Sequence, residues 1–128
     1  MPLLPFIKQQ DSMDCGPTCL AMISKYYGKI ISIQSLRNKT EIGKEGVNLL
    51  GISNAAEAIG YRTQAAQLTC DQVVHDALLP CILHWNQNHF VVLYKTSKKS
   101  FTIGDPGKGI IKLSKHEFLQ NWISSKSD

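Results

Sequence analysis

Residues 14–28 read as a helix with both ends marked, and every other segment has to be placed around it. Asp14, Gly16 and Pro17 are start signals, because proline suits a first turn whose N–H groups have no helical partner anyway. Leu20, Ile23, Tyr26 and Tyr27 recur on one side, and Gly28 supplies the stop. The helix spans about 15–27, so Cys15 stands at its N-terminus. Unpaired N–H groups and the positive end of the helix dipole favour an anion there, which helps a thiol to ionise. The plainer reading is a small buried cysteine near a helix start, a common use of free cysteine.

The rest of the first half is also helical in pattern. Ser32 can cap a short helix through Leu36 and Arg37, and residues 38–46 form a polar loop. A helix over about 47–59 carries Leu49, Ile52, Ala56 and Ile59 on one stripe and ends at Gly60. Tyr61 to Leu68 suggests a strand. Thr69 or Asp71 caps a helix through Val73, Val74 and Leu78, broken by Pro80.

Beyond Pro80 the pattern changes. Cys81 to Trp85, His89 to Lys95, Ser100 to Gly104 and Ile110 to Leu113 read as short strands separated by turn residues. Ser114-x-x-Glu117 is a capping box opening a last helix through Phe118, Leu119 and Trp122. Helices first and an antiparallel sheet afterwards give an α+β domain, with a helical N-terminal half packed on the sheet. At 128 residues the chain suits one domain, with an expected core over about 5–123.

Composition removes several classes of function. The chain is 43% apolar and 19% charged, which suits a globular domain. Its net charge of +4 comes from scattered residues, Lys98-Lys99 being the one adjacent basic pair, so no nucleic-acid stripe is expected. The longest apolar run, Phe90 to Tyr94, is far too short for a membrane span. No P-loop occurs, so ATP hydrolysis by this chain alone is not expected. Cys15, Cys19, Cys70 and Cys81 form no Cys-x-x-Cys and follow no secretory signal, so neither a disulfide framework nor a metal site is expected, nor a cofactor.

Chemistry concentrates on a few residues. A hairpin centred on Ser97 sets His89 directly across from Asp105, on one face with Val91, Leu93, Phe101 and Ile103; a bulge would break that pairing. A cysteine at a helix start with an Asp-oriented histidine is the pattern of a cysteine nucleophile. Cys15 would attack a carbonyl, His89 would carry the proton and Asp105 would hold the imidazole. Gln9, just before the helix, could join the Cys15 backbone N–H in binding the oxyanion. Against this, His84 is a rival base or a plain strand histidine, Asp105 could merely form a turn, and Gln10 is a neighbouring amide. His75 and His116 read as surface or packing residues.

The motifs also resemble a known family. Gln9-x-Asp11-x-x-Asp14-Cys15-Gly16, Cys19-Leu20-x-Met22-Ile23 and Tyr26-Tyr27-Gly28 are similar to the cysteine motif of the bacteriocin-processing peptidase domain of peptidase-containing ABC transporters, which is papain-like. Pro80-x-Ile82-Leu83-His84-Trp85, Asn88-His89-Phe90-Val91-Val92-Leu93 and Gly104-Asp105-Pro106-x-x-Gly109 resemble its histidine and aspartate motifs, in the same order. Thr18 and Gly107 depart from it where Ala is common.

The resemblance implies Cys15 as nucleophile, His89 as base, Asp105 as its partner and Gln9, six before the cysteine, as the oxyanion residue. It implies a cysteine endopeptidase that removes double-glycine leaders from bacteriocin or pheromone precursors. The leader would bind as an amphipathic helix. The partners it implies are that leader and the transmembrane and ATPase domains of a transporter, at the cytoplasmic side of a bacterial membrane. Neither of those domains occurs in the 128 residues, so an excised domain or a stand-alone relative is expected. Two other readings stand: a module that docks leaders without cutting them, and another papain-like Cys–His–Asp transfer enzyme.

Overall fold

The computed structural model describes residues 4–11, 13–40, 48–64, 67–86 and 89–122. Among the described residues, four helices precede a four-stranded antiparallel sheet, and a fifth helix follows it. The helices are α1 (Cys15–Tyr26), α2 (Ile33–Thr40), α3 (Leu49–Ala58), α4 (Cys70–Asp76) and α5 (Lys115–Asn121). The strands β1 (Cys81–Trp85), β2 (His89–Thr96), β3 (Ser100–Asp105) and β4 (Gly109–Ser114) lie in sequence order.

α1 is the central helix, and the single apolar stripe is corrected. Every residue from Cys15 to Ser24 is buried, because β2 packs on one side of α1 while α2 and α3 pack on others. Tyr26 and Tyr27, at its end, are 46% and 56% exposed. Gly28 takes φ +85°, the left-handed conformation that stops a helix at little cost in glycine. Ser32 caps α2 by accepting from the Ser35 N–H at 3.1 Å, and that helix continues to Thr40. The expected loop therefore begins later, and residues 41–46 of it lie outside the described residues. α3 buries Ile52 and Ala56 as expected, but Leu49 stays 47% exposed.

The strand expected over Tyr61 to Leu68 does not form: the described residues there carry no strand pairing. Tyr61 instead binds inward, its hydroxyl reaching Ser24 Oγ at 3.2 Å. Thr69, not Asp71, caps α4 through a full capping box with Gln72. α4 ends at Asp76, and Leu78 is 90% exposed. The Ser114–Glu117 capping box opens α5 as read from sequence, and the bonds Glu117 accepts from Ser114 lower its carboxyl pKa.

Alternation along β2 separates two cores. Phe90, Val92 and Tyr94 face α1, with α2 and α3 behind it. Val91 and Leu93 face Cys70 and Val73 of α4 and Phe118 of α5. Phe101 and Phe118 stack with ring centroids 4.1 Å apart. The sheet is thus covered on both faces, which explains why Phe90 to Tyr94 is buried without a break.

The β2–β3 register also differs from expectation. Thr96 pairs with Phe101 and Lys95 with Thr102, a bulge follows, and then Leu93 pairs with Ile103 and Val92 with Gly104. Continuing that ladder sets Asp105 beside Val91, so His89 and Asp105 are diagonal rather than opposed. Carried from the turn without the bulge, the ladder would set Asp105 beside Val92, on the other face. The bulge restores the face that the two residues share.

Candidate active site

Asp105 ends β3 and His89 begins β2, so both sit at one end of the sheet, where the N-terminus of α1 arrives. His89 Nε2 lies 2.6 Å from Asp105 Oδ1. The same oxygen accepts the Gly107 N–H at 2.9 Å, and the Asp105 carbonyl accepts the Lys108 N–H at 2.9 Å. Asp105 therefore forms the turn and orients the histidine at once, and the two readings of it are compatible. With Nε2 given to Asp105, Nδ1 is the ring nitrogen left for Cys15, whose side chain also helps to raise the imidazole pKa.

The electrostatics follow from these contacts. The hydrogen bond to Asp105 and then that to Cys15 push His89 up from 6.5 to about 9, against the opposing effect of burial. Burial raises Asp105, but the bonds from His89 and the Gly107 N–H outweigh it and hold the carboxyl below 3.8. At neutral pH the imidazole is therefore protonated, with a carboxylate on one side and sulfur on the other.

The other thiols have different surroundings. Burial, then the negative charges of Cys15 and Asp105, push Cys19 well above its ordinary value. Burial pushes Cys81 up to about 12. None of the four cysteines forms a disulfide.

Gln9 reaches the same place by a different route. Its backbone N–H donates to the Pro106 carbonyl at 2.9 Å, tying the N-terminal segment to the turn after Asp105. Its Nε2 donates to the Asp11 carbonyl at 3.0 Å, while Oε1 is buried without a partner. A Cβ placed on Gly107 would stand 3.4 Å from Asp105 Oδ1, 3.7 Å from Gln9 Oε1 and 3.8 Å from His89 Cε1. The structure thus brings Gln9, Cys15, His89 and Asp105 together.

His84 does not join them in these contacts. It lies opposite Phe90 in the ladder, and the two rings stack at 5.2 Å. His75 is exposed in α4, 3.4 Å from Asp71, and His116 is exposed in α5.

One pairing escaped the sequence reading. Asp14, beside Cys15, is buried and faces Arg37 of α2. The available signal was an acidic residue directly before Cys15, but nothing local pointed to a partner so far along the chain.

Known proteins resemble this chain in sequence and in fold. Residues 4–125 match the model of the Peptidase C39 family. The chain is 41% identical over 115 residues to the probable microcin-H47 secretion/processing ATP-binding protein MchF of Escherichia coli, covering 89% of this chain and 16% of that protein. It is 39% identical over 114 residues to the colicin V secretion/processing ATP-binding protein CvaB of Escherichia coli, with the same coverage of 89% and 16%. The chain thus spans about a sixth of these relatives.

Among solved structures, it is similar to a double glycine motif protease from an AMS/PCAT transporter in complex with the leader peptide. The TM-score is 0.90 at 32% identity, covering 94% of this chain and 86% of that one. The peptidase domain of Streptococcus ComA, a bi-functional ABC transporter, gives a TM-score of 0.88 at 30% identity, covering 95% and 94%. With a family match over nearly its whole length and a papain-like α+β fold shared with these domains, the chain belongs to the Peptidase C39 family.

Proposed function

We propose that this peptidase is a cysteine endopeptidase that cuts double-glycine leaders from precursor peptides, working with an ABC transporter at the cytoplasmic side of a bacterial membrane. The observation that carries the chemistry is the 2.6 Å contact between His89 and Asp105, with Cys15 near enough at the start of α1 to act on the same imidazole. The substrate class is supported by relatives named for bacteriocin processing and by the similar protease held with a leader peptide.

Cys15 Sγ attacks the scissile carbonyl carbon, and the proton that leaves sulfur resides on His89. Collapse of the tetrahedral species breaks the C–N bond, His89 gives that proton to the departing amine, and a thioester remains. Water then attacks the thioester, His89 takes its proton and returns one to sulfur, and the leader leaves with a new carboxylate. Asp105 keeps the imidazole aligned and stabilises its charge.

The oxyanion is held by the Cys15 backbone N–H and the Gln9 amide. A half-turn of that amide exchanges its unpartnered Oε1 for Nε2 and presents two N–H groups, at the cost of the bond to Asp11. Exposed apolar side chains at the end of α1 and the start of α3 (Tyr26, Tyr27, Ile30, Leu49 and Leu50) are available to the apolar face of a helical leader.

The test is mass spectrometry of a synthetic double-glycine leader with a short cargo, incubated under reducing conditions with wild type and Cys15→Ala. One cut after the second small residue, absent in the variant, supports the reading. Tight binding without any cut replaces it with a docking module. Capture of an added amine acceptor at the new C-terminus would point to transfer instead of hydrolysis.

A further inference from the structure

Asp14 immediately precedes Cys15 and is only 3% exposed. It does not cap α1 in the usual way. Its backbone, at φ −95° and ψ 5°, is not extended, and its side chain makes no capping bond. Pro17 has no N–H to offer, and the Thr18 N–H already donates to the Asp14 carbonyl at 2.9 Å. Cys15 and Gly16 are left as the first-turn residues whose N–H groups have no partner within the helix.

The Asp14 carboxylate turns instead to α2, where Arg37 Nε stands 2.8 Å from Oδ1. No donor hydrogen points at that buried oxygen, so the contact compensates charge without forming an aligned hydrogen bond. The pair lines a cavity of about 220 Å³ between the N-terminal segment and α2, together with Lys8, Thr18 and Gln34.

A buried acid beside a nucleophilic cysteine opposes the reaction unless its charge is cancelled. A free carboxylate would repel a thiolate on the next residue and compete for the Gly16 N–H. We propose that Arg37 is a positioning residue: it draws the Asp14 carboxylate away from the start of α1 and neutralises it, leaving the first-turn N–H groups to the Cys15 sulfur and the developing oxyanion. Arg37 acts through Asp14 and touches no reacting atom. The inference rests on Cys15 as the nucleophile.

The charged and titratable groups around this corner are few among the described residues. Arg37 comes from α2, Lys8 and Asp11 from the N-terminal segment, Cys19 from α1, and His89 and Asp105 from the sheet. Lys8 lines the same cavity but is exposed, so its charge is solvated and screened and it cannot replace Arg37.

The test reads the sulfur directly. The rate of Cys15 alkylation by iodoacetamide is followed against pH in the whole chain, with the modified peptide identified by mass spectrometry. Arg37→Met is expected to move the midpoint up by about one pH unit, about tenfold in thiolate fraction below it. Arg37→Gln repeats the test with a side chain that still donates but carries no charge, and the same shift is expected. Adding Asp14→Asn to Arg37→Met removes the offending carboxylate and returns the midpoint to the wild-type value.

An unmoved midpoint in both single variants, or a shift that survives in the double variant, overturns the inference. A wild-type Cys15 that alkylates no faster than an exposed thiol would instead overturn the nucleophile reading, and this inference with it.

Discussion

His89 and Asp105 meet through a 2.6 Å contact although they are not opposite one another in the sheet. They are diagonal neighbours at the ends of their strands, at a separation that side chains still span. Three features make the contact hold: the bulge that keeps both residues on one face, the turn that gives Asp105 the Gly107 N–H, and the burial of the carboxylate.

The pair should govern both activity and stability against pH. Asp105→Asn removes the main cause of the raised His89 value, so that group should titrate nearer 6.5 than about 9, observable by NMR of the imidazole Cε1–H. Turnover should fall by roughly a hundredfold, as misaligned acid–base catalysis does. His89 is raised on folding, so its stabilisation is complete below 6.5 and disappears as pH rises through about 9. Asp105 is lowered, so its share is present above 3.8 and is lost as pH falls through the folded value. The melting-temperature difference between wild type and His89→Gln should therefore be greatest between those limits and shrink on both sides.

Gln9 should matter to turnover more than to binding. With Gln9 as the proposed oxyanion donor, Gln9→Ala should lower kcat by roughly a hundred- to a thousandfold with KM little changed. Gln9→Glu keeps the size but cannot donate when ionised, so steady-state kinetics should show a loss at least as large. An alanine variant with full kcat would remove Gln9 from the mechanism.

His84 offers the cleanest choice between two candidate bases. It stacks on Phe90, while His89 holds the contact to Asp105. His84→Ala should keep cleavage within about tenfold of wild type, whereas His89→Ala should lower it by roughly a hundredfold or more. Rates measured side by side on one substrate decide between them.

Two glycines near the site should respond differently to alanine. A Cβ on Gly104 would stand 2.6 Å from Met22 Cε and 2.8 Å from Tyr94 Cε2. The methionine end can move, but the Tyr94 ring is buried and its hydroxyl donates to the Pro5 carbonyl at 2.6 Å. Gly104→Ala should cost about 1–3 kcal/mol in denaturant unfolding, as overpacking does. At Gly107 the nearest atom is 3.4 Å away and the backbone is not left-handed, so Gly107→Ala should change stability by less than about 0.5 kcal/mol.

Local signals in the sequence were enough to place most of the elements and to single out the candidate groups that the fold brings together. Start and stop signals at Pro17 and Gly28 bounded α1, and the Ser114–Glu117 box opened α5, because capping acts over a few residues that the chain keeps together. Cysteine at a helix start, with a histidine and an aspartate on neighbouring strands, was equally legible.

Features that depend on distant partners emerge only in the folded chain. Tyr61 to Leu68 has strand-forming residues, but the described residues there form no ladder and Tyr61 bonds to Ser24 instead. The β2–β3 register depends on a bulge that no residue type announces, so the diagonal contact could not be counted out from the turn. Asp14 looked like a helix start, and only the packing of α2 shows that its carboxylate belongs to Arg37. Local signals report what a few neighbouring residues prefer; a charge pair, a register or a two-sided core is a property of segments that meet only when the chain is folded.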